Sequence, residues 1–300
     1  MKIAIAYAAG SPPQSVALVH DALQSHGHAV TRVGFGDVDQ FARAISGGDA
    51  EGPTRVVVNL VGGPAAPAFA GLLDLLGVPY TGSALAALSL AQDSHRAKAV
   101  MLAHGVRVVD GWLAVAVDGY AVVTPDDALR FDPSDFPLAV NRTVVRDPDA
   151  LVARVKSALV ESGPVLVEVL IEGREFHVSV LGSGDDARVL PPVEVVPESV
   201  DDDPDAALTS PPDDYPDAMS EEVAAQAVRA FRAVGCRDYA TVDVRVDADG
   251  KAYVMDVHPN PDMSDDADIM RSAQAQGMSP DELIETIVQF AAARGEREEV

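Results

Sequence analysis

The chain has 300 residues, enough to bury a large core and to divide into two or three domains. Hydrophobic residues make up 48% of it, the composition of a folded globular protein and not of a disordered one. Asp and Glu outnumber Lys and Arg by 47 to 22, and the net charge of −25 argues against nucleic acid or an anionic membrane as partner. No apolar run is long and charge-free enough to span a bilayer, and the opening MKIAIAYAAGS has no cleavable signal pattern. The single cysteine, Cys236, suits a reducing compartment, so a cytoplasmic location is expected, with the thiol buried and structural.

Lys2 to Tyr7 reads as a short apolar strand, Gln14 to Ser25 as a helix and Ala29 to Val33 as a second strand, a βαβ opening. The loop between strand and helix has one glycine and two prolines, so it lacks a dinucleotide fingerprint. His26 and His28 fall where helix-end residues meet the negative end of the dipole. Arg55 to Val61 is a third buried strand, Ala65 to Leu76 a helix, and Gly77 to Ser83 a turn-rich feed into a helical stretch running to His104. That stretch carries Asp93 and Lys98 among apolar residues. Short strands follow at Trp112 to Val117 and Phe136 to Val140, with helices starting at Pro125 and Asp149, as expected of a small separate lobe. Val165 to Ile171 and Arg174 to Val180 are strands around a Glu172-Gly173 turn, with Glu168 and Glu175 on either side. Pro191 to Glu222, rich in Pro and Asp, reads as one long loop before a helix from Glu221 to Val234. A final amphipathic helix runs from Pro280 to about Arg294.

The most informative stretch is Tyr239 to Met263, which reads as a β-hairpin. Val242, Val244 and Val246 alternate with Asp243 and Arg245, Asp247 to Gly250 has turn chemistry, and Lys251 to Val257 is strand-like again. Each arm holds an acid, Asp243 and Asp256, and His258 follows. Carboxylates among Val, Met and Tyr are costly unless a cation or hydrogen bonds compensate them, and two on one hairpin suggest hard oxygen ligands for Mg²⁺. Asp256 and His258 share a face, whereas Asp243 joins them only if the turn register or a bulge allows it. A surface hairpin with solvated acids is the plainer alternative.

Taken together, several stretches resemble the D-alanine–D-alanine ligases and their relatives in the ATP-grasp superfamily. Gly77-Val-Pro-Tyr-Thr-Gly-Ser83 with Asp93 and Lys98, Val165-Leu-Val-Glu168 with Glu172-Gly-Arg-Glu175, and Gly235-Cys236 through Asp243 to Asp256 and Asn260-Pro261-Asp262-Met263 occur in the family's order. The resemblance implies an α/β protein, α+β in its C-terminal part: an ATP-grasp fold behind a Rossmann-like N-terminal domain. It implies residues 1–87 as that domain, 88–164 as the small central lobe and 165–300 as the C-terminal lobe. It also implies that Lys98 contacts ATP phosphates, that Glu168 meets the adenine amino group and Glu175 the ribose, with Ile171 in the same nucleotide site, and that Asp243, Asp256 and His258 form the Mg²⁺ site. The expected partners are small amino-acid-like substrates, with a homodimer suggested through the N-terminal domain.

The departures are as specific as the matches. Where the family has a Val-Lys-Pro strand this chain has Val140-Asn141-Arg142, so Arg142 is the candidate replacement for the phosphate lysine, and the glycine-rich phosphate loop is missing. Thr241 stands where the family has its transition-state arginine, leaving no catalytic residue assigned, and His258 stands where it has an asparagine. Three readings follow: a carboxylate–amine ligase that works through an acyl phosphate on altered substrates, a non-catalytic relative that binds a ligand or partner, and a repurposed metal site of Asp243, Asp256 and His258.

Overall fold

The computed structural model describes residues 1–8, 14–36, 38–46, 53–117, 120–124, 138–140, 143–196, 207–209, 212 and 214–298. Asn141 and Arg142, the Pro125 helix start and part of the Pro/Asp-rich segment lie outside these residues.

The N-terminal unit is a three-stranded parallel sheet of β1 (Lys2–Ala8), β2 (Ala29–Phe35) and β3 (Val56–Asn59), with β1 in the middle. Residues 2–6 of β1 are buried without a gap, as a parallel sheet covered on both faces requires. Helices α1 (Gln14–Ser25), α2 (Val38–Ser46) and α3 (Ala66–Leu76) supply that cover. Phe41, Phe69 and Leu73 pack under Ala4, Ala6 and Val57 on one side. Ile3, Ile5, Val56 and Val58 face α1 and the chain's last helix on the other.

The stretch expected as one helix to His104 divides into α4 (Leu85–Ala91) and α5 (Ser94–Ala103). The break has a local cause: the Asp93 carboxylate accepts the Arg96 backbone N–H at 3.1 Å and caps a new helix.

A five-stranded antiparallel sheet follows, built from β4 (Gly111–Val117), β5 (Tyr120–Thr124), β6 (Leu138–Val140), β7 (Thr143–Val145) and β8 (Val165–Val169) in the order β5-β4-β8-β6-β7. Helix α6 (Pro148–Ser162), capped by Asp147, packs Val155 and Ala158 against Trp112, Val140 and Val167. Strand β8, placed by the sequence at the head of the third segment, is thus the middle strand of this sheet, and the chain leaves the lobe only after Val169.

The largest sheet comprises β9 (Arg174–Ser183), β10 (Arg188–Val189), β11 (Val193–Val196), β12 (Ala207–Thr209), β13 (Arg237–Val246) and β14 (Ala252–Pro259). Its path is β12-β11-β9-β13-β14, with β10 paired to β9. The Pro/Asp-rich segment read as a single loop therefore contains β11 and β12, and it ends at α7 (Asp217–Val234), which begins a turn earlier than the sequence suggested. Strand β11 gains its place from non-local pairing to β9 and from Arg174, whose guanidinium donates to the Glu194 carboxylate at 2.6 and 2.7 Å. Helix α7 lays Val223, Ala227, Ala230 and Phe231 over Phe176, Val178, Val242 and Val244, which leaves the opposite face of the sheet for polar residues. Two helices close the chain, α8 (Asp268–Ala275) and α9 (Pro280–Glu298). The sequence reading missed α8, a short helix held by burial of Ile269, Met270 and Ala273. Leu283, Ile284 and Ile287 of α9 return to the N-terminal sheet and complete its core.

Candidate active site

The hairpin forms as the valine alternation requires, and its register decides the site. Val246 pairs with Ala252 and Val244 with Val254, but Asp243 pairs with Asp256. Met255 is therefore an extra residue in the second arm, a β-bulge that moves Asp256 directly opposite Asp243. Beyond it Thr241 pairs with His258, and on the other side β9 sets His177 opposite Asp243 and Glu175 opposite Arg245. Because side chains alternate, Glu175, His177, Thr241, Asp243, Arg245, Asp256 and His258 share one face. Asp243 is only 6% exposed, so the solvated-acid alternative does not describe it.

The charged groups of this face are partnered. His258 Nε2 lies 2.9 Å from Asp243 Oδ2. His177 Nε2 lies 3.8 Å from Asp243 Oδ1, and its Nδ1 lies 2.8 Å from Asp268 Oδ2 at the start of α8. Burial pulls the His177 imidazole down, but the Asp268 hydrogen bond and the charges of Asp243, Asp268 and Glu175 overcome it, so its pKa ends above the ordinary value. Glu175 is in direct ion contact with Arg245, which also donates to the Ile171 carbonyl at 3.2 Å. Two positions implied for the nucleotide, Glu175 and Ile171, thus meet through one guanidinium. Among the described residues no three His, Cys, Asp or Glu side chains meet as a finished metal cluster.

Lys98 and Glu168 come together as an ion pair between α5 and β8. Burial pushes the Lys98 ammonium down to about 8, and the charge of Asp256 opposes the shift. Asp256 is tied to the same helix, accepting from Ser94 Oγ at 3.4 Å. Lys98, Glu168, Asp256, Asp243, His258, His177 and Glu175 form one continuous polar seam where the central sheet, α5 and the large sheet meet. Arg142 lies outside the described residues.

A cleft of about 720 Å³ opens over this face. Gly62 and Gly63 of the N-terminal unit, with Leu88 of α4 and Gln92 just after it, wall one side, and the segment from His258 to Ile269 walls the other. The two walls are latched: Ser83 N donates to Asn260 Oδ1 at 2.7 Å, and Gly82 N donates to the buried Asp238 at 2.8 Å. Arg294 of α9 binds Asp238 at 2.7 and 3.0 Å and the Tyr80 carbonyl at 2.6 Å. Sequence reasoning missed His177, Asp268 and this latch. His177 had one usable signal, its spacing of two from Glu175 along a strand; the others depend on chain segments more than 50 residues apart.

A central antiparallel lobe and a large sheet clasping a polar seam, behind a parallel N-terminal domain, constitute an ATP-grasp fold. Solved structures agree: a D-alanine–D-alanine ligase from Bacillus anthracis complexed with ATP superposes with a TM-score of 0.80 over 100% of both chains at 20% identity. That from Coxiella burnetii has a TM-score of 0.80 over 100% of this chain and 96% of its own, also at 20% identity. The family model for the D-ala D-ala ligase C-terminus matches residues 139–289. The D-alanine–D-alanine ligase of Bordetella petrii is 32% identical over 98% of this chain and 93% of its own length, and that of Gloeobacter violaceus is 32% identical over 96% and 98%. The chain belongs to the D-alanine–D-alanine ligase family.

Proposed function

We propose that the protein is an ATP-dependent carboxylate–amine ligase whose substrates differ from those of its named relatives. The observation that carries this reading is the bulged register that sets Asp256 opposite Asp243 and beside Lys98. A carboxylate oxygen attacks the γ-phosphorus of ATP, the bond to ADP breaks, and an acyl phosphate forms. The amine nitrogen then attacks the acyl carbon, phosphate leaves with the oxygen that came from the carboxylate, and the nitrogen gives up a proton. Such chemistry needs positioning and charge neutralisation more than covalent help from the protein.

In this reading Lys98 neutralises phosphate once its ion pair with Glu168 opens, Glu168 and Glu175 accept from adenine and ribose, and Arg245 holds Glu175. Asp243 and Asp256 offer the hard oxygens that suit Mg²⁺, which when bound would supply positive charge to offset that of the phosphates; His258 adds a softer nitrogen beside them. A second reading, ligand binding without turnover, draws on Thr241, which lines the cleft where the resemblance implies an arginine. Coupled measurement of ADP release over a panel of carboxylates and amines separates the two. Substrate-dependent release supports the ligase; nucleotide binding without release under every pair supports the second reading.

A further inference from the structure

We propose that Arg245 is a positioning residue that leaves Glu175 a single oxygen to offer the sugar of the nucleotide. The ribose is then read through one hydroxyl, and a nucleotide lacking the other is accepted about as well. This rests on the ligase reading's placement of Glu175 at the ribose and narrows it. Glu175 lines the cleft, and Arg245 is its partner in the β9–β13 pairing. The guanidinium donates to one oxygen only: Nε reaches Glu175 Oε2 at 2.8 Å, and Nη2 donates to the same atom. An ionised carboxylate has about two lone-pair sites on each oxygen, so two N–H donors fill Oε2. Glu175 Oε1 accepts no hydrogen bond among the described residues, and His177 Nε2 stands 3.9 Å from it, beyond hydrogen-bond distance.

A second, independent feature builds this contact into the fold. Nη1 of the same guanidinium donates to the Ile171 carbonyl at 3.2 Å, so all three nitrogens are committed to β9 and the turn before it. That turn is also seated on the next residue of β13. A Cβ at Gly173, whose φ is +156°, would stand 1.9 Å from the Val246 carbonyl oxygen. Side chain at Arg245 and backbone at Val246 therefore fix the same corner, and freeing Oε2 breaks two charge-assisted hydrogen bonds. A carboxylate with both oxygens free takes one of two adjacent hydroxyls on each. Here the first hydroxyl meets Oε1, and the second finds Oε2 already filled and gains nothing over water.

The test is calorimetric titration of the full chain, in Mg²⁺, with ADP, 2′-deoxy-ADP and 3′-deoxy-ADP. One deoxy analogue is expected to bind at least about tenfold more weakly than ADP, having lost a hydrogen bond to a charged group, and the other within about threefold of ADP. Arg245→Met frees Oε2 and is expected to weaken the tolerated analogue at least about fivefold relative to ADP. A general loosening of the fold would weaken all three nucleotides alike, and circular dichroism checks the variant. Equal penalties for the two analogues in the unaltered chain, or no penalty for either, overturn the proposal whether or not the variant folds. So does an asymmetry that persists in folded Arg245→Met. Absence of binding by all three overturns it together with the ligase reading. Equal penalties alongside substrate-dependent ADP release overturn it and leave the ligase reading standing. Asymmetric binding with no ADP release under any carboxylate–amine pair keeps the role of Arg245 and overturns the ligase reading.

Discussion

Asp243 stands directly across the hairpin from Asp256, on the side of the sheet that faces the cleft, because Met255 bulges out of the second strand. Without that extra residue Met255 would oppose Asp243, and the two carboxylates would lie on opposite faces. Replacing Asp256 by Asn keeps the side-chain bond to Val257 N and removes the charge. Stability in EDTA is expected to change by less than about 0.5 kcal/mol. The extra stability given by Mg²⁺ with nucleotide, about 2.7 kcal/mol at a hundredfold excess over Kd, is expected to disappear. Denaturant unfolding with and without Mg²⁺ and ATP measures both; a full ligand shift in the variant would show that Asp256 holds no ion.

On the proposed role of Lys98, nucleotide binding is expected to be sensitive to alkaline pH. Its ammonium titrates near 8 in the folded chain against an ordinary 10.5, so its charge is lost as pH rises through 8. Affinity for ADP is expected to fall about tenfold between pH 7 and pH 9, and Lys98→Arg, which stays charged, to flatten that profile. Stability moves the other way. Between about 8 and 10.5 the unfolded chain holds a proton that the folded one has released, so this residue's contribution to stability rises with pH in that window. Titrations at the two pH values, with the arginine variant alongside, decide it.

Gly82 lets the two cleft walls approach. Its φ of +87° suits glycine, and a Cβ there would stand 2.1 Å from Asn260 Oδ1. Gly82→Ala is expected to destabilise the protein by roughly 2 kcal/mol and to raise KM for the amine more than it lowers kcat, because Asn260 is displaced from the wall. An alanine variant with wild-type melting temperature and KM would contradict the latch.

Cys236 is buried, and burial pushes its thiol up to about 12. Labelling by thiol reagents at neutral pH is expected to require unfolding, so its rate should follow denaturant concentration through the unfolding transition. Rapid labelling of the native protein would contradict the burial.

The elements legible in the sequence are those with local causes. The βαβ opening follows from apolar runs separated by turn residues, and the hairpin from alternating valines around Asp247 to Gly250. Family motifs in order brought out Lys98, Glu168, Glu175, Asp243 and Asp256, and these lie along one seam. What stayed hidden is what the chain makes over long distances. Strand β11 exists because Val193 pairs with His177, α8 because Ile269 and Met270 reach the shared core, and the His177–Asp268 contact because both do. The bulge at Met255 could be posed as a question from the sequence; its answer depended on how β13 and β14 align.

Oxygen transfer from substrate to phosphate tests the ligase reading most directly. The enzyme is supplied with ATP, Mg²⁺ and each carboxylate–amine pair of the panel, the carboxylate labelled with ¹⁸O, and the released phosphate is analysed by mass spectrometry. The acyl-phosphate route predicts one ¹⁸O in each phosphate, in step with ADP. Phosphate released without label, or no ADP with any pair while nucleotide is bound, would contradict it.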